Sequence, residues 1–183
     1  MPENVVQEII LLVAVVTLGL AVIALSITVL YPQFILSSEE QVANNLASQT
    51  TISVGPLLNN GNQASLVLEA YDPAETGNVT VLVFPEPSSF ETSVGLVTPQ
   101  GQPSFSVHLA NGKLAEPVTL AKVYDLNGHL LIGSPIRAYT IPFNDPVTVI
   151  FSGFSKGDIA VVWVMYGQGD VFRIGYTFTG VPG

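Results

Sequence analysis

Cysteine is absent from the 183 residues. That removes disulfides, thiolate metal sites and cysteine nucleophiles together. Charge is scarce as well: Asp, Glu, Lys and Arg make up 10% of the chain, where an ordinary soluble domain carries roughly 25%. Many positions must therefore be covered by protein, by lipid or by neighbouring copies. Base is scarcest of all. The five basic residues, Lys113, Lys122, Arg137, Lys156 and Arg173, all come late, and residues 1–112 hold nine acids and no base. The net charge is −9. Nucleic-acid binding draws its affinity from Lys and Arg that release counterions from the phosphate backbone, so by direct charge a nucleic acid is a poor partner. Attraction to anionic lipid headgroups is disfavoured for the same reason.

Metal and catalytic motifs are incomplete. A cupredoxin-type copper site needs His and Cys together, and this chain has only His108, His129, Met1 and Met165 to offer. A zinc site from the two histidines would need added carboxylates. Asp125-Leu126-Asn127-Gly128 opens like a calcium loop but lacks the later oxygen ligands and the terminal Glu. The stretch YGQGD at 166–170 has neither the Lys nor the following helix of a phosphate loop. No Ser-His-Asp spacing stands out. The expectation is a non-enzyme that needs no metal or cofactor.

What is present begins with residues 9–30, IILLVAVVTLGLAVIALSITVL, an uncharged run of 22 residues. As a helix it spans roughly 33 Å, enough to cross a bilayer core. Tyr31-Pro32-Gln33-Phe34 follows as an interfacial aromatic edge, with no small-residue cleavage pattern. Neither flank carries the Lys or Arg that usually orients an anchor; either a basic leader is removed ahead of Met1, which is the favoured reason, or the electrical asymmetry comes from acids alone. Pro32 predicts a kink or an end to this helix. Ser37 and Glu40 form a capping-box pattern that predicts a new amphipathic helical start running to about Ser48. Ala14, Thr17, Ala21, Ala24 and Thr28 recur at intervals of three and four and form a small-residue packing seam, opposite the bulky Leu12, Ile23 and Leu30. Glu8 opens the run, as a carboxylate suited to the helix dipole or as an assembly contact.

From Thr50 onward the pattern becomes short β-rich runs, at 50–54, 64–71, 78–84, 104–110, 117–124, 129–132, 147–152, 158–166 and 171–179. Phe105, Val107 and Leu109 alternate, as do Phe172, Ile174, Tyr176 and Phe178 with Arg173 and Thr177 opposite, which is the pattern of half-buried antiparallel strands. Asn111-Gly112 and Asn127-Gly128 predict type I′ hairpin turns. Residues 85–103, with four prolines, read as a long surface loop. DIAVVWVMY at 158–166 is apolar on both faces and reads as a strand covered on both sides; a sharper version has its outer face against another subunit or the helix. Asn78-Val79-Thr80 is an N-glycosylation sequon. The expected fold class is α+β: residues 1–48 a hydrophobic helix, residues 49–183 an all-β immunoglobulin-like sandwich.

The order of these parts, a short polar PENVVQE, the run IILLVAVVTLGLAVIALSITVLY and a cysteine-free β domain, resembles archaeal type IV pilins and the related archaellins. The resemblance rests on about the first 50 residues. It implies a subunit of an extracellular filament for adhesion or motility, whose helix leaves the membrane to polymerise with other copies. It also implies an assembly machinery as partner and no energy-converting site in the subunit; a surface glycan at Asn78 is suggested by the sequon alone. The alternative is a solitary membrane-anchored sandwich that binds a ligand or scaffolds a complex.

Overall fold

The computed structural model describes residues 2–61, 63–167 and 170–180. The chain divides into two compact units, Met1–Glu39 and Glu40–Gly183. The division falls nine residues earlier than the sequence boundary after residue 48, because the last helical turns bury Ala43 and Leu46 with the β unit.

Helix α1 (Pro2–Leu25) continues through a five-residue π turn (Ser26–Leu30) into α2 (Tyr31–Gln49). Pro32 therefore does not end the helix, as its missing N–H had suggested. The departure from α geometry comes just before it, where the Tyr31 N–H reaches back five residues to the Ser26 carbonyl. The wider turn is a common way to fit a proline ring against the preceding carbonyls. With the helix unbroken, Ser37 lies inside α2 and caps nothing.

Among the described residues twelve strands follow. The first sheet holds β1 (Thr51–Val54), β2 (Leu58–Asn60), β3 (Gln63–Tyr71), β5 (Phe105–His108) and β10 (Val147–Ser152), in the order β1-β3-β10-β5 with β2 also on β3. The second holds β4 (Asn78–Pro87), β6 (Glu116–Leu120), β7 (Val123–Tyr124), β8 (Leu130–Ile132), β9 (Ile136–Pro142), β11 (Asp158–Tyr166) and β12 (Val171–Gly180), in the order β6-β9-β4-β11-β12-β7-β8. All pairings are antiparallel except β12 with β7. The fold is thus α+β, one long helix followed by a two-sheet β domain. Leu66, Leu68, Val107 and Val149 of the first sheet and Val79, Val81, Val162 and Val164 of the second are buried.

Several sequence expectations are corrected. The run 117–124 is two strands, β6 and β7, which pair with different neighbours. Strands β2 and β9 were not anticipated: β2 is exposed throughout, and in β9 the adjacent Ala138 and Tyr139 are both buried, which breaks the alternation. The Asn-Gly turns are not type I′, since Asn144 is the one non-glycine with positive φ among the described residues. Gly112 N–H bonds Leu109 O and Gly128 N–H bonds Asp125 O, each a turn closed by a left-handed glycine (φ 77°). These are three-residue loops, in which only the last position needs positive φ.

Residues 85–103 are not simply a loop. Strand β4 runs on through Pro85, Glu86 and Pro87 against β11. The Ser88 N–H bonds Gly157 O, so even-numbered positions here point their N–H groups at β11 and odd ones point away. Both prolines fall on the odd side, beyond Val81 where the pairing with β9 ends, and their missing donors cost no ladder bond. A 3-10 segment (Ser88–Leu96), irregular at Ser93, then packs against β4, β11 and β12. It is called the strap below.

A part-buried polar knot ties the chain after β3 to the turn before β10. Asn144 (φ 65°) donates through Nδ2 to Asp72 O and Glu75 O, and its Oδ1 accepts from the Asp72 N–H. The Asp72 carboxylate, itself fully buried, accepts from the Ala74 N–H.

Candidate functional site

The sequence singled out the helix first. Its apolar side chains from Val5 to Phe34 are exposed, with Leu18 at 70% and Phe34 at 71%. Thr17 Oγ1 donates to Val13 O at 2.7 Å, Ser26 Oγ to Val22 O at 2.9 Å and Thr28 Oγ1 to Ala24 O at 2.7 Å. These hydroxyls need no external partner, so the helix presents a hydrocarbon surface with its polar atoms folded back on the backbone. Ala14, Thr17, Ala21 and Ala24 lie in regular helix and share one side. Thr28 lies inside the π turn, where the i, i+4 spacing no longer holds, and drifts off that row. Glu8 is exposed near the start, beside Leu11 and Leu12. Among the described residues this is one helix long and apolar enough to cross a membrane, by length and composition.

Asn78 is exposed at the first position of β4, opposite Pro142 of β9, and borders two shallow grooves, one shared with Thr80, Thr119 and Thr140 and one with Glu75 and Tyr166. The two histidines lie apart. His108 Nε2 is 3.5 Å from Ser106 Oγ on β5. His129 Nδ1 is 3.0 Å from Asp125 Oδ2 in the β7–β8 turn. Burial pushes the Asp125 carboxyl up, but the backbone N–H and ring of His129 and the Asn127 N–H outweigh it and hold it below its ordinary value. Among the described residues no three His, Cys, Asp or Glu lie close enough to share a metal ion.

The arrangement that the sequence did not foresee lies on the outer face of the second sheet. The pairing of β11 with β12 shifts register between Val164 and Met165: Val164 faces Gly175 and Met165 faces Arg173, leaving Ile174 as an extra residue. A bulge of this kind reverses the facing of everything beyond it. Trp163 pairs with Tyr176, and Trp163 and Met165 share a face of β11. Arg173 and Tyr176 therefore lie on one side, where the alternation had put them on opposite sides. The Arg173 guanidinium stands 4.7 Å from the Trp163 ring centroid and 4.8 Å from that of Tyr176. Gly175, facing the other way, approaches Ile52 of β1 so closely that a Cβ there would meet Ile52 Cδ1 at 2.5 Å.

Phe84 meets Trp163 edge-to-face at 5.6 Å, with Leu82 and Val161 on the same side, all buried. The strap covers them with Val94, and Gly95 lies against the Tyr176 ring, where a Cβ would come within 2.5 Å of the phenol oxygen. This answers the question posed by DIAVVWVMY: its outer face is covered by the chain's own strap. Two donors in the cluster, Trp163 Nε1 and Arg173 Nη1, are buried without an acceptor among the described residues. Burial pulls the Arg173 pKa below its ordinary value, against the opposite pull of Tyr176 and Asp125. Beside the strap, burial and the neighbouring Asp158 carboxylate raise the Glu86 pKa.

No family model and no curated protein matches the sequence. A structural comparison finds a conjugate transposon protein (residues 27–141) from Bacteroides vulgatus, 10% identical, with 73% of this chain and 84% of that one covered at a TM-score of 0.30.

Proposed function

We propose that the chain is the subunit of an extracellular filament of the type IV pilin kind, polymerising through its N-terminal helix after a membrane-inserted stage and serving adhesion or motility. One observation carries this reading: a helix with exposed apolar side chains along most of its length, whose hydroxyls are already satisfied by its own carbonyls. Such a surface is unstable in water and calls for lipid or for other apolar helices. The row Ala14, Thr17, Ala21 and Ala24 permits close helix–helix approach. Assembly by dedicated machinery and a glycan on the exposed Asn78 belong to the same reading.

The test is electron microscopy of Ala21→Leu and Ile23→Phe beside the unmodified chain at equal expression. Overpacking a close contact costs about 1–3 kcal/mol per copy, so Ala21→Leu should abolish or reshape filaments and Ile23→Phe should be milder. Filaments equally abundant in Ala21→Leu remove the seam. A native sample without filaments favours the second reading, a solitary membrane anchor, which the length and hydropathy of the same helix also support.

A further inference from the structure

Strand β12 is paired on one side only for most of its length. Strand β7 reaches Val171 and Phe172 and then turns away. From Arg173 to Gly180 the strand has β11 on one side and, among the described residues, no strand on the other. The phase of the hydrogen bonds says which groups are left open. The Ser88 N–H bonds Gly157 O, so odd-numbered residues of β11 exchange bonds with β4 and even-numbered ones with β12. Val162 and Val164 therefore bond Thr177 and Gly175, which they face. Tyr176 and Phe178 turn their N–H and C=O groups to the open side.

Other edges of the two sheets are guarded. Strand β6 carries Glu116 and Pro117, β8 has three residues, and the open side of β5 is met by the Ala115 N–H on Val107 O. Charge, proline and shortness are how natural edges avoid pairing with other chains. Residues 175–180, GYTFTG, have no charge, no proline and no bulge.

We propose that this edge pairs antiparallel with the same edge of a second copy, in a register centred on Thr177. The choice of a second copy rests on what that register brings together. Tyr176 of each copy faces Phe178 of the partner subunit, and each such pair exchanges both backbone bonds. Thr177 faces Thr177 of the partner subunit at the centre, where side chains approach most closely. Aromatic pairs and Thr–Thr pairs are favourable cross-strand neighbours. Tyr176 and Phe178 are 49% and 41% exposed, so they have surface left to bury. The edge is uncharged, so two copies meet there without opposing like charges. A two-fold pairing does not relate successive copies along one polar filament; it joins copies side by side and is independent of the helix-driven assembly proposed above.

The absence of cysteine makes single-cysteine cross-linking specific. Full-length Thr177→Cys and Thr179→Cys are oxidised in detergent micelles and read on non-reducing gels, each after a check for an intact β spectrum. A disulfide needs Cα atoms within about 7 Å. The register sets the two 177 positions directly opposite, whereas the two 179 positions lie about 13 Å apart along the strands. Thr177→Cys should therefore form the linked dimer and Thr179→Cys should not. Adding Phe178→Lys to Thr177→Cys should slow linkage roughly tenfold, because one substitution falls at two symmetric places in the pair. A mixture of Tyr176→Cys and Phe178→Cys chains should give the mixed dimer in excess over either homodimer, reading the same register with Thr177 intact. Equal linkage at 177 and 179, a rate indifferent to Phe178→Lys, or no excess of the mixed dimer overturns the proposal. The readout needs no filaments, so their absence in the native sample would count against the filament reading and leave this pairing standing.

Discussion

Residues 9–30 and Asp158–Tyr166 are both apolar on every side, yet the structure treats them in opposite ways. In β11, Ile159 through Met165 are almost fully buried. One face lies toward the first sheet and the other lies under the strap that the same chain supplies. In the helix, the apolar side chains from Val5 to Phe34 stay exposed. A strand that is apolar on both faces can be completed from within a domain, because a sheet has two broad surfaces and loops long enough to cover one. A helix apolar all round has to be surrounded, and this one is not surrounded by its own unit. The lesson is that apolar content alone does not say where the covering atoms come from. Here one stretch is completed within the β unit, and the other stays exposed along a helix long and apolar enough to cross a membrane by length and composition.

The comparison breaks most visibly if the helix is removed. A chain starting at residue 40 is expected to stay in solution by light scattering and to keep its β circular-dichroism signature. Precipitation would mean that the β unit depends on the helix. A point substitution sharpens the contrast. Trp163→Ala should destabilise the β unit by about 3–5 kcal/mol, the usual cost of emptying a core aromatic site, read as a lower midpoint in chemical denaturation. Leu18→Ala, at an exposed helical position, should leave that midpoint unchanged. Equal effects would erase the distinction.

A smaller effect tests the cover over β11. Glu86 is a buried carboxyl whose pKa is raised by burial and by Asp158. A folded-state pKa above the unfolded value means that the folded state holds the proton more tightly, so the group begins to cost stability as pH rises through the unfolded value and costs it in full above the folded value. That cost fades as pH falls and is gone below the ordinary glutamate value of 4.5. Glu86→Gln should therefore raise the thermal midpoint at neutral pH, by on the order of 2 °C, and make no difference at pH 4 or lower. A gain that persists in acid would place its origin elsewhere than in this carboxyl.

The sequence by itself determined the long helix, the change to β at Thr50 and most of the strands, because uninterrupted hydropathy and period-two alternation are local and need no partner to be recognised. It also located the left-handed glycines at 112 and 128, though not the turn type, which depends on how many residues the flanking strands leave unpaired. Tertiary structure decided the rest. Whether Pro32 stops a helix depends on whether the preceding turn can widen, and hydropathy carries no trace of that. Strand β9 became visible only through its partners β4 and β6, and β2 only through β3. The prolines at 85 and 87 join a strand because the neighbouring strand has already departed on their open side. Above all, one extra residue at Ile174 moved Arg173 onto the face of Tyr176 and Trp163. A bulge is set by long-range pairing between β11 and β12 rather than by the composition of either, so alternation along β12 alone pointed to the opposite face.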